Sequence, residues 1–390
     1  MSQWPTMRLG EICSIVGGGT PSRAEPEYFN GSIPWVTVKD FKRFRLLDAQ
    51  EHISEKAVVD SATNVVEPGT VLLVTRVGLG KVAIADARLA INQDIKGLTP
   101  NATVSSDFLF WFLLSQAARI ESMGAGATVK GVTLTDIKRI EVPTPPLPEQ
   151  RRIVDLLSRA EGIVRLRREA EKKAAELIPA LFNDMFGDPA TNPKGWPVET
   201  LGRHVMIPSA VRTPDLVADA DMPCMGADSI ESMTGKLISM PTVRDVLPKS
   251  GKYSFDAGDV LYSKIRPYLA KVTLAQCKGY CSADMYPLRC NATLRSTYLL
   301  TMLLGRVFTD YATGESVRAS MPKLNRESLF KYQFPLPPVG LQDLFAVNAD
   351  AMLSIQSQQA TATAKAQATF DALLARCFTQ MVALEGGSSD

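Results

Sequence analysis

The side chains able to do covalent or acid–base chemistry in this sequence are few and poorly spaced for it. His52 and His204 are its only 2 histidines, which leaves little room for a nucleophile–histidine–acid arrangement. Asp94-Ile95-Lys96 and Asp136-Ile137-Lys138 have the form of one half of a nuclease site, and Pro214-Asp215 has the form of the other. No acid-x-lysine triplet follows Pro214-Asp215 at a workable distance. Pro145-Pro146 is followed by Leu147, where an amino-methyltransferase motif needs an aromatic residue, and the preceding Asn or Asp is also missing. Gly17-Gly18-Gly19 could cradle phosphate, but no nucleotide-binding motif follows, so a tight turn is expected there. Cys277, Cys281 and Cys290 lack a paired C-x-x-C and have no neighbouring histidine. They read as small buried side chains rather than metal ligands or disulfides. The chemistry expected of this chain is therefore binding, with no catalytic residue, metal or cofactor of its own.

A binding protein of 390 residues with 45% hydrophobic and 22% charged residues has room for two or three ordinary folded domains. No apolar run reaches the roughly 18 residues of a membrane span. The N-terminal Met1-Ser2-Gln3-Trp4-Pro5 lacks the basic and apolar regions of a signal peptide, so a cytoplasmic location is expected. With 43 basic and 41 acidic residues the net charge is +2. A free-standing nucleic-acid binder is usually more basic. Any grip on DNA must come from local clusters or be shared with partner chains.

What must position such clusters is an internal duplication. Trp4-Pro5 with Leu9-Gly10 recurs as Trp196-Pro197 with Leu201-Gly202. Glu67 to Leu72 matches Asp256 to Leu261, Lys81-Val82 matches Lys271-Val272, and Asp94 to Leu98 matches Asp284 to Leu288. Leu109 to Leu114 matches Leu299 to Leu304, Pro143 to Pro146 matches Pro335 to Pro338, and Gln150 matches Gln342. The offset stays at roughly 190 residues, too long for a solenoid, so this is a duplicated domain. Each copy opens with β-branched runs bounded by glycine, Gly69–Thr75 and Lys81–Ala85 in the first copy, Asp259–Ser263 and Ala270–Leu274 in the second. These predict buried strands, with helices near Phe108–Gln116 and Tyr298–Leu304.

A long helix follows each head. From Pro148 to about Phe186 the pattern is helical, some 38 residues or roughly 57 Å, before Gly187-Asp188-Pro189 stops it. Ile153, Ala160, Ala174 and Leu181 make one heptad row, interrupted by Arg167, and Leu156, Ile163, Ala170 and Leu177 make a second. Phe345, Met352, Ala366 and Leu373, with Ile355 and Ala362, do the same after the second head. Pro179 predicts a kink. The expected fold is α+β: two mixed α/β heads joined by two long antiparallel coiled-coil helices in a pseudo-two-fold repeat. The boundaries are 1–145 for the first head, 146–190 for its helix, 191–337 for the second head, and 338–390 for the second helix and tail.

Gly18-Gly19-Thr20-Pro21-Ser22, Ile33-Pro34-Trp35-Val36, Gly80-Lys81-Val82-Ala83-Ile84 and Asn92-Gln93 form an ordered series. Pro145 through Ile153 and Met185-Phe186-Gly187-Asp188-Pro189 complete it. Ser263 through Tyr268 and Cys281 through Pro287 belong to the second copy's version. The series resembles the specificity subunit of type I restriction–modification enzymes over about residues 4 to 380. The resemblance implies two target-recognition domains, each reading one half of a bipartite site in double-stranded DNA. It implies helices that set the unread spacer and dock two methyltransferase subunits, with motor-nuclease subunits joining for cleavage. S-adenosylmethionine, ATP and magnesium would belong to those partners. Val339-Gly340-Leu341-Gln342 departs from the first copy's Leu147-Pro148-Glu149-Gln150, so a different helix entry is expected there.

On that resemblance the DNA-contact candidates are polar side chains in expected loops: Thr20, Ser22 and Arg23 after the glycines, and Arg76 and Lys81 around a turn between strands. Asn92 and Gln93 carry amides suited to adenine. Lys130, Arg212, Lys264, Arg266, Arg318 and Lys323 complete the set, with Lys130 and Arg318 at matching repeat positions. Lys42, Arg43 and Arg45, beside Phe41 and Phe44, could follow a phosphate backbone. The alternative for each is a solvated surface group. The dense charges from Arg165 to Lys173 read as a solvated helix face, or as a docking surface. Two other classes stay open: a coiled-coil scaffold whose heads bind proteins, and a free-standing nuclease. DNA retention with a methyltransferase present separates the first, and magnesium-dependent activity of the single chain separates the second.

Overall fold

The computed structural model describes residues 4–125, 131–208, 210–316 and 322–379. The chain divides into two compact units, Met1–Arg168 with Ala362–Asp390, and Glu169–Thr361. The division falls inside both long helices, so each unit contains one head and a segment of each helix.

In the first unit a five-stranded sheet runs in the order Cys13–Gly17, Ile95–Pro100, Val71–Val74, Val82–Ala85, Arg45–Leu46. All its pairs are antiparallel except the last. The runs Val71–Val74 and Val82–Ala85 are buried at every position because side chains alternate between faces and both faces are covered. Val71, Leu73, Val82 and Ile84 pack against the helix Ser106–Ser115. Leu72, Val74, Ala83 and Ala85 pack with Leu89 and Ile91. Those last two lie in a second sheet, ordered Glu51–Ile53, Ile33–Val36, Leu89–Ile91, Asn64–Val66. A short ladder, Thr6–Arg8 with Glu141–Pro143, closes the head beside the start of the first long helix.

The second unit repeats this plan with less sheet. Its four-stranded sheet is ordered Val205–Met206, Met285–Cys290, Val260–Ser263, Val272–Leu274. Helix Ser296–Leu304 packs on it. Cys224–Met225, Gly279–Ser282 and Lys252–Phe255 form a three-stranded sheet, and Val198–Thr200 with Gln333–Pro335 closes the head. The strands and helices expected in both copies are present at or within a few residues of their expected positions.

The first long helix runs Leu147–Ala175 and continues as Leu177–Phe186. Pro148 sits in its first turn, where a missing N–H costs nothing. The interruption lies at Glu176, three residues before Pro179, because proline denies the preceding turn its amide and crowds it. The second helix, Val339–Thr379, has no such break. Its entry matches the first despite the different sequence: Gln150 N–H donates to Pro146 O, and Gln342 N–H to Pro338 O, at 3.1 and 3.2 Å.

The heptad seams are half as expected. The rows of Ile153 and Phe345 face inward. The companion rows run one residue later, through Leu157, Val164 and Ile178, and through Ala349, Gln356, Thr363 and Phe370. Leu156, Ile163, Leu177 and Ile355 are exposed instead. Leu156-Leu157 and Ile163-Val164 are adjacent apolar pairs, so periodicity alone cannot choose between them. Gln356 and Thr363 hide the true row because they are polar.

Within the first unit Phe370 and Phe378 pack on the same core as Ile153, Leu157 and Val164, and Arg168 Nη2 donates to Gln367 Oε1 at 2.8 Å. Within the second, Phe345 contacts Phe182 and Phe186 at ring separations of 5.6 and 5.3 Å. Gln356 Nε2 donates to Ala174 O at 2.7 Å, just before the break. In that unit the two helical segments therefore run in opposite directions.

Candidate nucleic-acid interface

The glycines Gly17–Gly19 bring the first unit's candidates together by close approach. A Cβ on Gly18 would lie 2.1 Å from Asn92 O, and one on Gly19 would lie 2.5 Å from Ala62 O. Neither glycine has a positive φ, so contact, rather than the expected tight turn, excludes a side chain there. The approach lets the Thr20 hydroxyl hydrogen-bond to Gln93 Oε1. Gln93 is exposed, while Asn92 is 6% exposed. Asn92 Oδ1 accepts from Asp94 N–H at 3.1 Å, so its amide shapes the turn that presents Gln93. Ser22 Oγ accepts from Ala24 N–H at 3.3 Å. Arg23 meets Glu51 at 2.6 Å and stacks over Phe29 at 4.3 Å. Its guanidinium stays more than half exposed, held between the Glu51 carboxylate and a flat aromatic base.

Arg76 and Lys81 flank the loop after strand Val71–Val74, and both are exposed. Arg76 Nε lies 3.7 Å from Asp94, which links it to the Thr20–Gln93 group. Val77, Gly78 and Gly80 in this loop have φ of 42°, 95° and 79°. A β-branched residue at positive φ is strained.

The second unit's counterpart loop is Ser263–Lys271. Arg266 and Ala270 take φ of 50° and 41°, where the first loop has Val77 and Gly80. Lys264 is 8% exposed, and its ammonium donates to Ala283 O and lies 3.9 Å from Asp284. Burial, then the neighbouring Lys323, pushes its pKa below the usual lysine range. Arg266 is exposed, and its N–H donates to Pro322 O at 2.9 Å. Ile265 bridges Lys323, and Leu324 N–H donates to Lys264 O at 2.9 Å. Lys264, Arg266 and Lys323 are thus gathered by two bonded loops, a positive patch with one buried member.

Arg212 lies elsewhere in that unit. Its guanidinium hydrogen-bonds to the Tyr280 hydroxyl, which donates to Asp219 at 2.7 Å. Arg45 of the first unit pairs with Asp86 at 2.7 Å and also with Asp107, so this part of the basic run is tied to the protein. Lys130 and Arg318 lie outside the described residues.

Gln150 and Gln342 escaped assignment as site residues. Both are 0% exposed. Gln150 Oε1 accepts from Ser105 N–H at 2.9 Å, while Nε2 donates to Thr103 O and Pro145 O at 2.8 and 2.9 Å. Gln342 does the same with Arg295 N–H, Thr293 O and Pro337 O at 2.8, 3.1 and 2.8 Å. One side chain thereby fastens each long helix to its head. The signal available in the sequence was an amide at matched repeat positions just after the proline cluster.

Among the described residues no group of three or more His, Cys, Asp or Glu could hold a metal ion, and no helix is long and apolar enough to cross a membrane. Residues 1–176 and 219–346 match the family described as the type I restriction modification DNA specificity domain. The specificity subunit of type I restriction enzyme MjaIX from Methanocaldococcus jannaschii is 28% identical over 54% of this chain and 54% of its own length, so the chain spans about half of that relative. The EcoDI specificity subunit of Escherichia coli is 29% identical over 70% of each chain. The fold is similar to the S subunit of a type I restriction–modification system from M. genitalium, with a TM-score of 0.58 at 13% identity over 95% of each chain. A structure describing complex assembly of a type I system aligns with a TM-score of 0.60 at 19% identity, over 96% of this chain and 97% of the other.

Proposed function

Because this chain belongs to the type I restriction–modification DNA specificity family, we propose that it reads a bipartite site in double-stranded DNA, one half-site per unit. One observation carries this reading. At the same place in each of two similarly built units, a strained cation-bearing loop leaves the central strand and bonds to a second loop. Arg76 and Lys81 serve the first unit; Lys264, Arg266 and Lys323 serve the second. Cations position the phosphate backbone. The exposed amide of Gln93, oriented by Thr20, is a base reader in the first unit.

The two long helices are the spacer between the heads, arranged as an antiparallel coiled coil about a pseudo-two-fold axis. The matched glutamine joints and the helix contacts within each unit support that arrangement. Two methyltransferase subunits dock on the helices. The exposed apolar row of Leu156, Ile163 and Leu166 in the first unit, with Leu344, Val347 and Ile355 in the second, suits such a surface better than the charged run from Arg165 to Lys173 alone. The partners supply S-adenosylmethionine, ATP and magnesium, and motor-nuclease subunits complete the restriction complex in the cytoplasm. Lys130 and Arg318 remain candidates as a matched phosphate-contacting pair.

The near-neutral charge of the chain supports a shared grip on DNA. Binding to a duplex carrying the methylated motif is therefore weak for the chain alone and tight with methyltransferase subunits. Fluorescence anisotropy with and without the partner tests this, and equal affinities in both cases contradict it.

A further inference from the structure

The two units differ sharply at one place where their folds coincide. The register between them is fixed by matched contacts. Phe108 with Phe378 in the first unit, at a ring separation of 5.6 Å, corresponds to Tyr298 with Phe186 in the second, at 4.9 Å. In the first unit Phe44, Phe110, Trp111 and Phe370 form a continuous aromatic block. Phe44 lies 5.1 Å from Phe110, Phe110 lies 4.8 Å from Trp111, and Trp111 lies 5.7 Å from Phe370. In the same register Phe110, Trp111 and Phe370 become Leu300, Thr301 and Ile178. The segment Met233–Lys236 crosses the helix face that Phe44 covers, and it places Gly235 against Leu304 and Leu300, where an added Cβ would lie 3.2 and 3.9 Å away.

There the second unit has a cavity of about 890 Å³, lined among others by Ile178, Gly235, Leu300, Thr301 and Leu304. Phe182 forms part of the wall but is held in a stack with Phe186, Tyr298 and Phe345. The volume is within the range of small-molecule sites, which are mostly apolar with a few polar groups. Two of the wall hydroxyls have partners: Thr301 Oγ1 donates to Thr297 O at 2.9 Å and Thr273 Oγ1 to Gly235 O at 2.7 Å. Asp188, Lys236, Arg306, Asp310 and Asp350 also line the cavity, so it offers a ring an apolar surface together with polar groups that can orient it.

We propose that this cavity is a binding site for a planar aromatic small molecule of one or two rings, filling the space that the Trp111 block occupies in the first unit. Ala175, Ile178 and Pro179 also line it, so the guest braces the helix across its break at Glu176.

The probe is indole, titrated calorimetrically into the full chain. Saturable one-site binding is expected, together with slower amide exchange around residues 176–180. Thr301→Trp fills the space and should weaken indole binding at least tenfold while raising the melting temperature of the unliganded chain. Ile178→Phe gives the same test from the opposite wall if Thr301→Trp fails to fold. Absence of saturable binding up to the solubility of indole overturns the proposal. So does undiminished binding in the folded filling variant, or equally tight binding of the non-aromatic cyclohexanol.

Discussion

Replacing Gln150 with methionine keeps the length of the side chain and removes all three of its hydrogen bonds. Ser105 N–H, Thr103 O and Pro145 O are then left without that partner at a fully buried joint. An orphaned buried donor costs ~1–3 kcal/mol and each of the two other lost bonds about 0.5–1.5, so a total of about 2–6 kcal/mol is expected. For a unit of nearly 200 residues this lowers the melting temperature by about 4–24 °C, at roughly 2–4 °C per kcal/mol. Gln150→Glu behaves differently with pH. Its carboxylate faces two carbonyl oxygens, so its pKa rises above the ordinary carboxylate value. Stability is then highest at low pH, where the group is protonated and can still donate, and is lost as pH rises through the raised pKa. Scanning calorimetry supplies the stability, and hydrogen exchange at the Ser105 amide supplies the local opening. Gln342→Met repeats the experiment in the second unit, where the bonds are the same. A loss under about 0.5 kcal/mol, or an unchanged Ser105 amide, refutes the view that these glutamines fasten helix to head.

Arg266→Gly relieves a left-handed backbone worth ~1–2 kcal/mol while removing a proposed phosphate contact, so thermal stability should rise as DNA affinity and its salt dependence fall; both are measured on one sample. Phe186→Ala opens the stack with Tyr298 and Phe345 and should cost about 3–5 kcal/mol, detected by calorimetry as loss of the second unit. Asp343 is held below the usual carboxylate range by Arg295, so its contribution to stability is present above the ordinary Asp value and fades as pH falls through the lowered one; Asp343→Asn should flatten that acid limb of a melting-temperature profile. Adding seven residues between Lys173 and Ala174 keeps the heptad register and lengthens a helix by about 10 Å, so methylation mapping should return the same half-sites with a spacer longer by about one to three base pairs, given ~3.4 Å per pair.

The buried strands and the placement of the long helices were legible because they depend on patterns that local physics enforces: β-branched runs between glycines, and a helical period after a proline cluster. The seam was misread by one residue because apolar pairs such as Leu156-Leu157 satisfy either choice, and because Gln356 and Thr363 line the covered face. The glycines Gly18 and Gly19 looked like turn formers. Their requirement comes from backbone segments distant in sequence, which no local pattern carries. Polar candidates were legible as loop residues but not by role. Asn92 and Gln93 are adjacent amides, and only the packing of Thr20 separates the one that builds the turn from the one that faces outward. Arg212 is held by Tyr280 and Asp219, a network assembled from three separate segments.

The central claim is that each unit reads its own half-site. Exchanging residues 1–142 for the first head of another family member, and mapping methylated adenines across a host genome carrying the chimera, tests it most directly. One half of the motif should change while the other half stays as it was. A motif in which both halves change together contradicts independent reading, and an active chimera whose motif is unaltered contradicts recognition by the heads.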